Sequence, residues 1–250
     1  ALWKNVIGLL TESASVQFAK PIYIEKNELR ASGKGLGEYK KSINMPMPWN
    51  GGWWKLGDIV DYELSSTWSL IKTGSIHKKD ILINRNIVCK KEVKKGKTLA
   101  PAYFVLPANQ HDEGELIELI TLLDEHGVSV YKAQNKTQYK NIVIEAGDYI
   151  VPLAQPFRAF IKEVMETQKF PERHYMPGGE LIKPYDITSW SLPLHRGISS
   201  FKIEEVVDAL ENSLQKVEFP IEFQGEHSEG IKSIVFSVTN NESYKVAFAA

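Results

Sequence analysis

Cysteine is nearly absent, with Cys89 alone in 250 residues. A lone cysteine excludes an internal disulfide framework and any multi-cysteine metal cage. It leaves the compartment open, because disulfide-free proteins occur on both sides of a membrane. An excess of one charge is missing too. The 30 Lys and Arg stand against 31 Asp and Glu, a formal charge of -1, so there is no global basic field of the kind that draws a protein to nucleic acid. No run of about 18 apolar residues occurs, which excludes an encoded transmembrane helix. The opening Ala1-Leu2-Trp3-Lys4 has neither an initiator Met nor the charged-then-apolar pattern of a signal peptide, and the expectation is a chain that begins mid-stream. What is present is a hydrophobic fraction of 43%, enough for one large domain, or for a compact domain plus a piece of another.

Along the chain, Val6-Ile7-Gly8-Leu9-Leu10 is apolar without alternation, which suits a strand buried on both faces of a mostly parallel sheet. Turn formers follow, from Gly33 to Gly52. Leu56, Val60, Leu64, Trp68 and Ile71 then recur at helical spacing. The spacing predicts a helix that continues, with a break near Gly74, to the lysines at 90–97, where Gly96 would supply a left-handed cap. Beyond Thr98 strands and helices alternate. Tyr103-Phe104-Val105-Leu106 reads as a buried strand, Glu115 to Glu125 as an amphipathic helix ended by Gly127, and Val128 to Tyr131 as the next strand, together a βαβ unit. Tyr149-Ile150-Val151 and Phe157 to Met165 repeat the pattern. A short helix near 204–210, strands near 217–223 and 231–238, and a helix start at Asn240, Asn241 and Glu242 complete it.

Catalytic motifs are few. None of His77, His111, His126, His174, His195 or His227 is followed by Glu at the third position, and no pair sits four apart. His77 with Asp80 reads as a solvated helix face, and Glu226-His227-Ser228-Glu229 as a polar hairpin loop. No G-x-S-x-G elbow occurs. Cys89 lies beside lysines that could lower its pKa, although an unpaired Cys is usually a small buried hydrophobe. Gly33-Lys34-Gly35-Leu36-Gly37 has the wrong spacing for a phosphate loop. The lysines at 90–97 lack interleaved aromatics and read as a solvated helix end. Trp49, Trp53 and Trp54 form the densest aromatic patch, either packed as anchors of a Pro- and Gly-rich loop or exposed for stacking on a ligand.

Gly8-Leu9-Leu10-Thr11-Glu12-Ser13-Ala14-Ser15 places a carboxylate just past the end of the expected strand, where open parallel sheets carry functional groups. This octet resembles the segment bearing the general-base glutamate in bacterial members of the carboxypeptidase A-type zinc peptidase family. The resemblance extends in order through Pro48-Trp49-Asn50-Gly51-Gly52-Trp53-Trp54, Ala102-Tyr103 with Gln110 and Asp112, Gln155-Pro156, and Pro184 to Pro193. It implies that Glu12 is the catalytic base, that the full-length protein uses zinc to hydrolyse a peptide substrate, and that it is exported. The family's zinc-binding His-x-x-Glu and distant His have no counterpart here, nor do its substrate-clamping Arg residues. Either the implied zinc ligands precede Ala1 in the full polypeptide or the protein has no such site; on the first reading this chain by itself is expected to be inactive and to hold no metal.

The expected organisation is a C-terminal strand and loops of a zinc-peptidase domain over 1–55, a helical connector over 56–98, and an accessory α/β domain over 99–250. The resemblance implies that the last is similar to a class I glutamine amidotransferase-like or flavodoxin-like fold, with a mostly parallel sheet and flanking helices. Lacking that fold's Cys at a strand-helix turn, it is expected to be non-catalytic. Asp186 would cap a short helix and Trp190 would enter the core. The competing reading is a binding or scaffolding module with no peptidase activity, using the Trp49 to Trp54 loop or the strand ends of 99–250 as its surface. No nucleic-acid partner and no membrane span are expected in either case.

Overall fold

A computed structural model describes residues 2–30, 38–43, 45–183, 190–221, 233 and 238–249. The chain forms two compact units, Gly8–Leu82 and a larger one made of Ala1–Ile7 with Ile83–Ala250.

In Gly8–Leu82, β1 (Ile22–Ile24) pairs antiparallel with β2 (Gly52–Trp54), setting Tyr23 opposite Trp53. Helix α1 (Leu56–Ile76) follows at once. Its first turn is tied by the Asp58 carboxylate, which accepts the Lys55 N–H at 2.7 Å, an arrangement that satisfies a backbone donor left free at a helix start. The helix ends at His77 (φ -98, ψ 16), and α2 (Lys78–Thr98) resumes immediately. The expected break is thus present, at His77 and not at Gly74. None of the described residues of this unit is buried. Every apolar residue of the α1 stripe stays about half exposed or more, from Leu56 at 49% to Trp68 at 66%.

The segment Val6 to Leu10 corrects one expectation. It forms no strand, and Leu10 is 83% exposed. An apolar run without alternation becomes a two-face-buried strand only between other strands, and among the described residues none pairs with it.

The larger unit holds β3 (Tyr103–Leu106), α3 (Glu113–Glu125), β4 (Tyr131–Ala133), β5 (Thr137–Tyr139), β6 (Ile142–Ile144), β7 (Tyr149–Pro152), α4 (Arg158–Met165), α5 (Leu192–His195), β8 (Phe201–Ile203), α6 (Asp208–Glu211), β9 (Leu214–Lys216) and α7 (Asn241–Ala249). Mixed helix and sheet stand as expected, but the mostly parallel sheet of a flavodoxin-like or amidotransferase-like domain does not. The five-stranded sheet has the order β8-β3-β7-β4-β9, and each pairing is antiparallel. Strands β3 and β4 do run the same way with α3 crossing between them, as a βαβ unit requires. However, β7 lies between them in the opposite sense, so the unit is split. The cause is local. After β4 the chain makes the hairpin β5-β6, with Tyr139 opposite Ile142, where a parallel sheet would need a crossover helix of a dozen or more residues. The hairpin turns the chain back, and β7 returns alongside β4.

All four residues of β3 are buried because both faces of the sheet are covered. Phe104 and Leu106 pack with Leu116, Leu119, Ile120 and Leu123 of α3 and Ile161 of α4. Tyr103 and Val105 face Ile144, Ile203 and Leu210. In β3 the continuous apolar run thus coincides with two-sided burial although its neighbours run antiparallel. Helix α3 is capped at its start by Asp112, whose carboxylate accepts the Glu115 N–H at 3.1 Å. It is closed by Gly127 at φ +80, a conformation that glycine adopts without steric cost.

Gly96 is a further correction. It does not cap α2 but lies buried inside it, where the helix crosses the residues after β7; an added Cβ would meet the Leu153 carbonyl oxygen at 2.1 Å. Trp190 is 43% exposed and so does not enter the core. Asp186 and the strand expected at 231–238 fall wholly or largely outside the described residues, whereas the expected helix start is present as α7, with Asn240 Oδ1 accepting the Ser243 N–H at 2.8 Å.

Candidate functional site

Glu12 lies in a stretch of Gly8–Leu82 without regular secondary structure and is exposed. Its two neighbours are held. Ser13 Oγ donates to Glu63 Oε1 at 2.8 Å, and Thr11 Oγ1 donates to Glu63 Oε2, so one α1 carboxylate receives both hydroxyls. The Thr11 bond, then the Ser13 bond, lowers the Glu63 pKa below the ordinary carboxylate range. Next along the chain, the Ala14 carbonyl accepts the Trp54 indole N–H at 2.9 Å. Trp54 packs at a tilt between Trp49 and Tyr62, with ring centroids 5.7 and 5.6 Å away. Trp49 and Trp54 thus serve as anchors, whereas Trp53 is 59% exposed and has its edge contact with Tyr23. The result is a free carboxylate on a backbone fixed on both sides.

A metal centre needs three or more converging ligands. Among the described residues no group of three or more His, Cys, Asp or Glu is placed to hold one. His77 and Asp80 are 3.8 Å apart on an exposed helix surface. His174 contacts Glu172 at 3.3 Å and the Gly179 carbonyl at 2.7 Å. His126 Nδ1 lies 3.3 Å from Lys4 Nζ, whose charge sits 5.4 Å from the Phe157 ring centre. Cys89 is half-buried, with the Asn5 amide 3.5 Å from its sulfur. Gly33 to Gly37 and Glu226 to Glu229 lie outside the described residues.

In the larger unit, the polar residues that carry the resemblance hold the fold together. Gln155 accepts the Ser129 N–H at 2.7 Å and donates to the carbonyls of Ser129 and Pro152 at 2.9 and 2.8 Å. Gln110 bridges to Ser199 in the same way, accepting its N–H at 2.8 Å and donating to its carbonyl at 3.0 Å. Asp112 also accepts the Asn241 N–H at 2.9 Å, tying α3 to α7. Each of these side chains pairs with backbone N–H or carbonyl groups.

Two buried polar groupings left no trace in the sequence pattern. Glu92 is buried between Lys95, which donates to it, and Arg158, whose Nη1 is 3.8 Å from its carboxylate. Arg158 Nε is buried without a hydrogen-bond partner among the described residues. The buried Tyr103 hydroxyl donates to Glu211, one wall of a 350 Å³ pocket that also includes Lys97 and Val206. Burial, then the hydrogen bond to Glu211 and its negative charge, raise the Tyr103 pKa well above the ordinary tyrosine value. Above pH about 10 the unfolded chain loses this proton while the folded protein keeps it, so stability falls as pH rises past that point. Alkaline difference absorbance of the folded protein is expected to show no tyrosinate missing from Tyr103→Phe near pH 10 to 11, about the usual tyrosine range. An increment lost in that range would contradict the burial of this phenol.

No family model, no curated protein and no solved structure matches the chain.

Proposed function

We propose that this chain contributes one edge of a peptide-hydrolysing centre, with Glu12 as the general base and with residues 99–250 as a non-catalytic accessory domain. The observation that carries the reading is the tie of Thr11 and Ser13 to Glu63, which leaves the intervening Glu12 carboxylate exposed on an anchored backbone. The octet from Gly8 to Ser15, with its resemblance to carboxypeptidase A-type zinc peptidases, supplies the chemistry. A carboxylate so placed takes a proton from water as the oxygen attacks a peptide carbonyl and returns it to the leaving amine. In such enzymes zinc supplies polarisation of the water and carbonyl. The described residues do not assemble a ligand set for it, so the reading assigns the zinc ligands to a different part of the polypeptide.

The absence of a ligand set among the described residues also favours a second reading, a binding or scaffolding module without peptidase activity. Metal analysis separates the two. The full polypeptide is expected to hold one zinc and to release C-terminal residues from peptides, while the 250-residue chain binds zinc only substoichiometrically. One tightly held zinc on the 250-residue chain, or a full polypeptide that holds zinc and cleaves no peptide, would overturn the peptidase reading.

A further inference from the structure

In a 670 Å³ hollow of the larger unit Glu166 pairs with Lys162 and Lys202 with Glu204, and in one of 400 Å³ Arg196 pairs with Glu115. The 350 Å³ pocket at Tyr103 differs. Lys97 and Glu211 both line it, yet among the described residues Lys97 has no carboxylate partner and Glu211 no cationic one. Its volume is at the small end of the roughly 300 to 1,000 Å³ of ligand sites. Ala102, Pro152, Ala154 and Val206 supply the apolar part of its wall. Glu211 is also held in place, because the buried Tyr103 hydroxyl donates to its Oε1. Burial and the bond itself keep that phenol protonated, so the donor persists at neutral pH. The second carboxylate oxygen, Oε2, has no partner among the described residues.

We infer that this pocket binds a small zwitterion, a molecule with an ammonium group, a carboxylate and a short apolar body, of which a free amino acid is the simplest kind. The ammonium group donates to Glu211 Oε2, the carboxylate accepts from Lys97 Nζ, and the apolar body covers the alanine, proline and valine wall. The opposite charges of the pocket select this class. A ligand with one charge would satisfy Lys97 or Glu211 and leave the other unmatched, whereas a zwitterion meets both, and hydrogen bonds between charged groups are the stronger kind. The phenol adds orientation, since it fixes the carboxylate that the ammonium group must find. Every residue named lies within Ile83–Ala250, so the site is independent of Glu12 and of the peptidase reading.

Titration calorimetry of the 250-residue chain with L-leucine, isoamylamine and isocaproate tests this. The last two keep the branched body of leucine and carry only its amine or only its carboxylate. Leucine is expected to bind with a Kd of about 1 mM or lower, and each single-charge probe about 10-fold more weakly, the loss of one charged hydrogen bond. Lys97→Met is expected to weaken leucine by about 10-fold and to leave isoamylamine unchanged. Glu211→Gln, whose amide oxygen still accepts from Tyr103, is expected to weaken leucine equally and to leave isocaproate unchanged. Lys202→Met, in the 670 Å³ hollow, is expected to have no effect. Leucine that does not saturate the chain by about 10 mM, a single-charge probe that binds as tightly as leucine, or a loss at Lys202 with none at Lys97 would each overturn the inference. Lys97 is exposed, so its variant is expected to keep the wild-type melting temperature and to report on binding alone.

Discussion

Glu12→Gln in the full polypeptide is expected to lower kcat for peptide hydrolysis by about 10²- to 10⁴-fold, the range of a lost general base, while zinc content and KM stay close to wild type. Glutamine keeps the shape of the side chain and removes only its capacity to take a proton. Glu12 makes none of the contacts that anchor its segment, because the tie to α1 runs through Thr11 and Ser13 to Glu63. The substitution should therefore leave the melting temperature unchanged, which separates chemistry from folding. A fall in kcat and kcat/KM together, at constant KM, is the signature of a group that acts only in the transition state. Unchanged turnover would remove Glu12 from the mechanism and leave the scaffolding reading in possession.

Gly96→Ala is expected to destabilise the larger unit by about 3 kcal/mol, at the upper end of the cost of overpacking. In a unit of this size that lowers the melting temperature by roughly 6 to 12 °C. Helix propensity alone predicts the opposite sign, since alanine is about 1 kcal/mol better than glycine inside a helix. The structure decides against propensity because the new Cβ would lie 2.1 Å from the Leu153 carbonyl oxygen and 2.5 Å from the Ala154 Cα. Both are backbone atoms, which cannot swing aside as a side-chain tip does, so α2 must lift off the chain beyond β7. Gly74 provides the contrast: it is also helical, but an added Cβ meets nothing within 4 Å. Calorimetry that showed both alanine variants equally stable would mean that α2 does not cross Leu153 so closely.

These two positions show where sequence reading succeeds and where it stops. Helices announced themselves through periodicity. The stripe from Leu56 to Ile71, the run from Glu115 to Glu125 with Gly127 beyond, and Phe157 to Met165 each produced the expected element within a few residues. The buried strands at Tyr103 and Tyr149 were equally legible, because four apolar residues in a row describe burial on both faces. Glu12 could be singled out only through the octet that contains it; nothing in residues 11–13 reveals that their hydroxyls meet Glu63 about fifty residues away.

What the sequence determined by itself is local: the helices, the buried runs, the want of cysteine cages, basic fields and long apolar spans, and an isolated carboxylate at residue 12. Such features depend on side-chain spacing and backbone preference within a few turns of chain, and those are written in order along it. The tertiary structure alone decided that the β5-β6 hairpin returns the chain so that β7 splits β3 from β4, that Gly96 is a crossing point and not a cap, and that the run from Val6 to Leu10 lies open. Strand direction, helix crossings and the covering of an apolar run depend on which distant segment arrives alongside. The pattern of apolar residues states that burial is needed, but it does not name the neighbour that provides it.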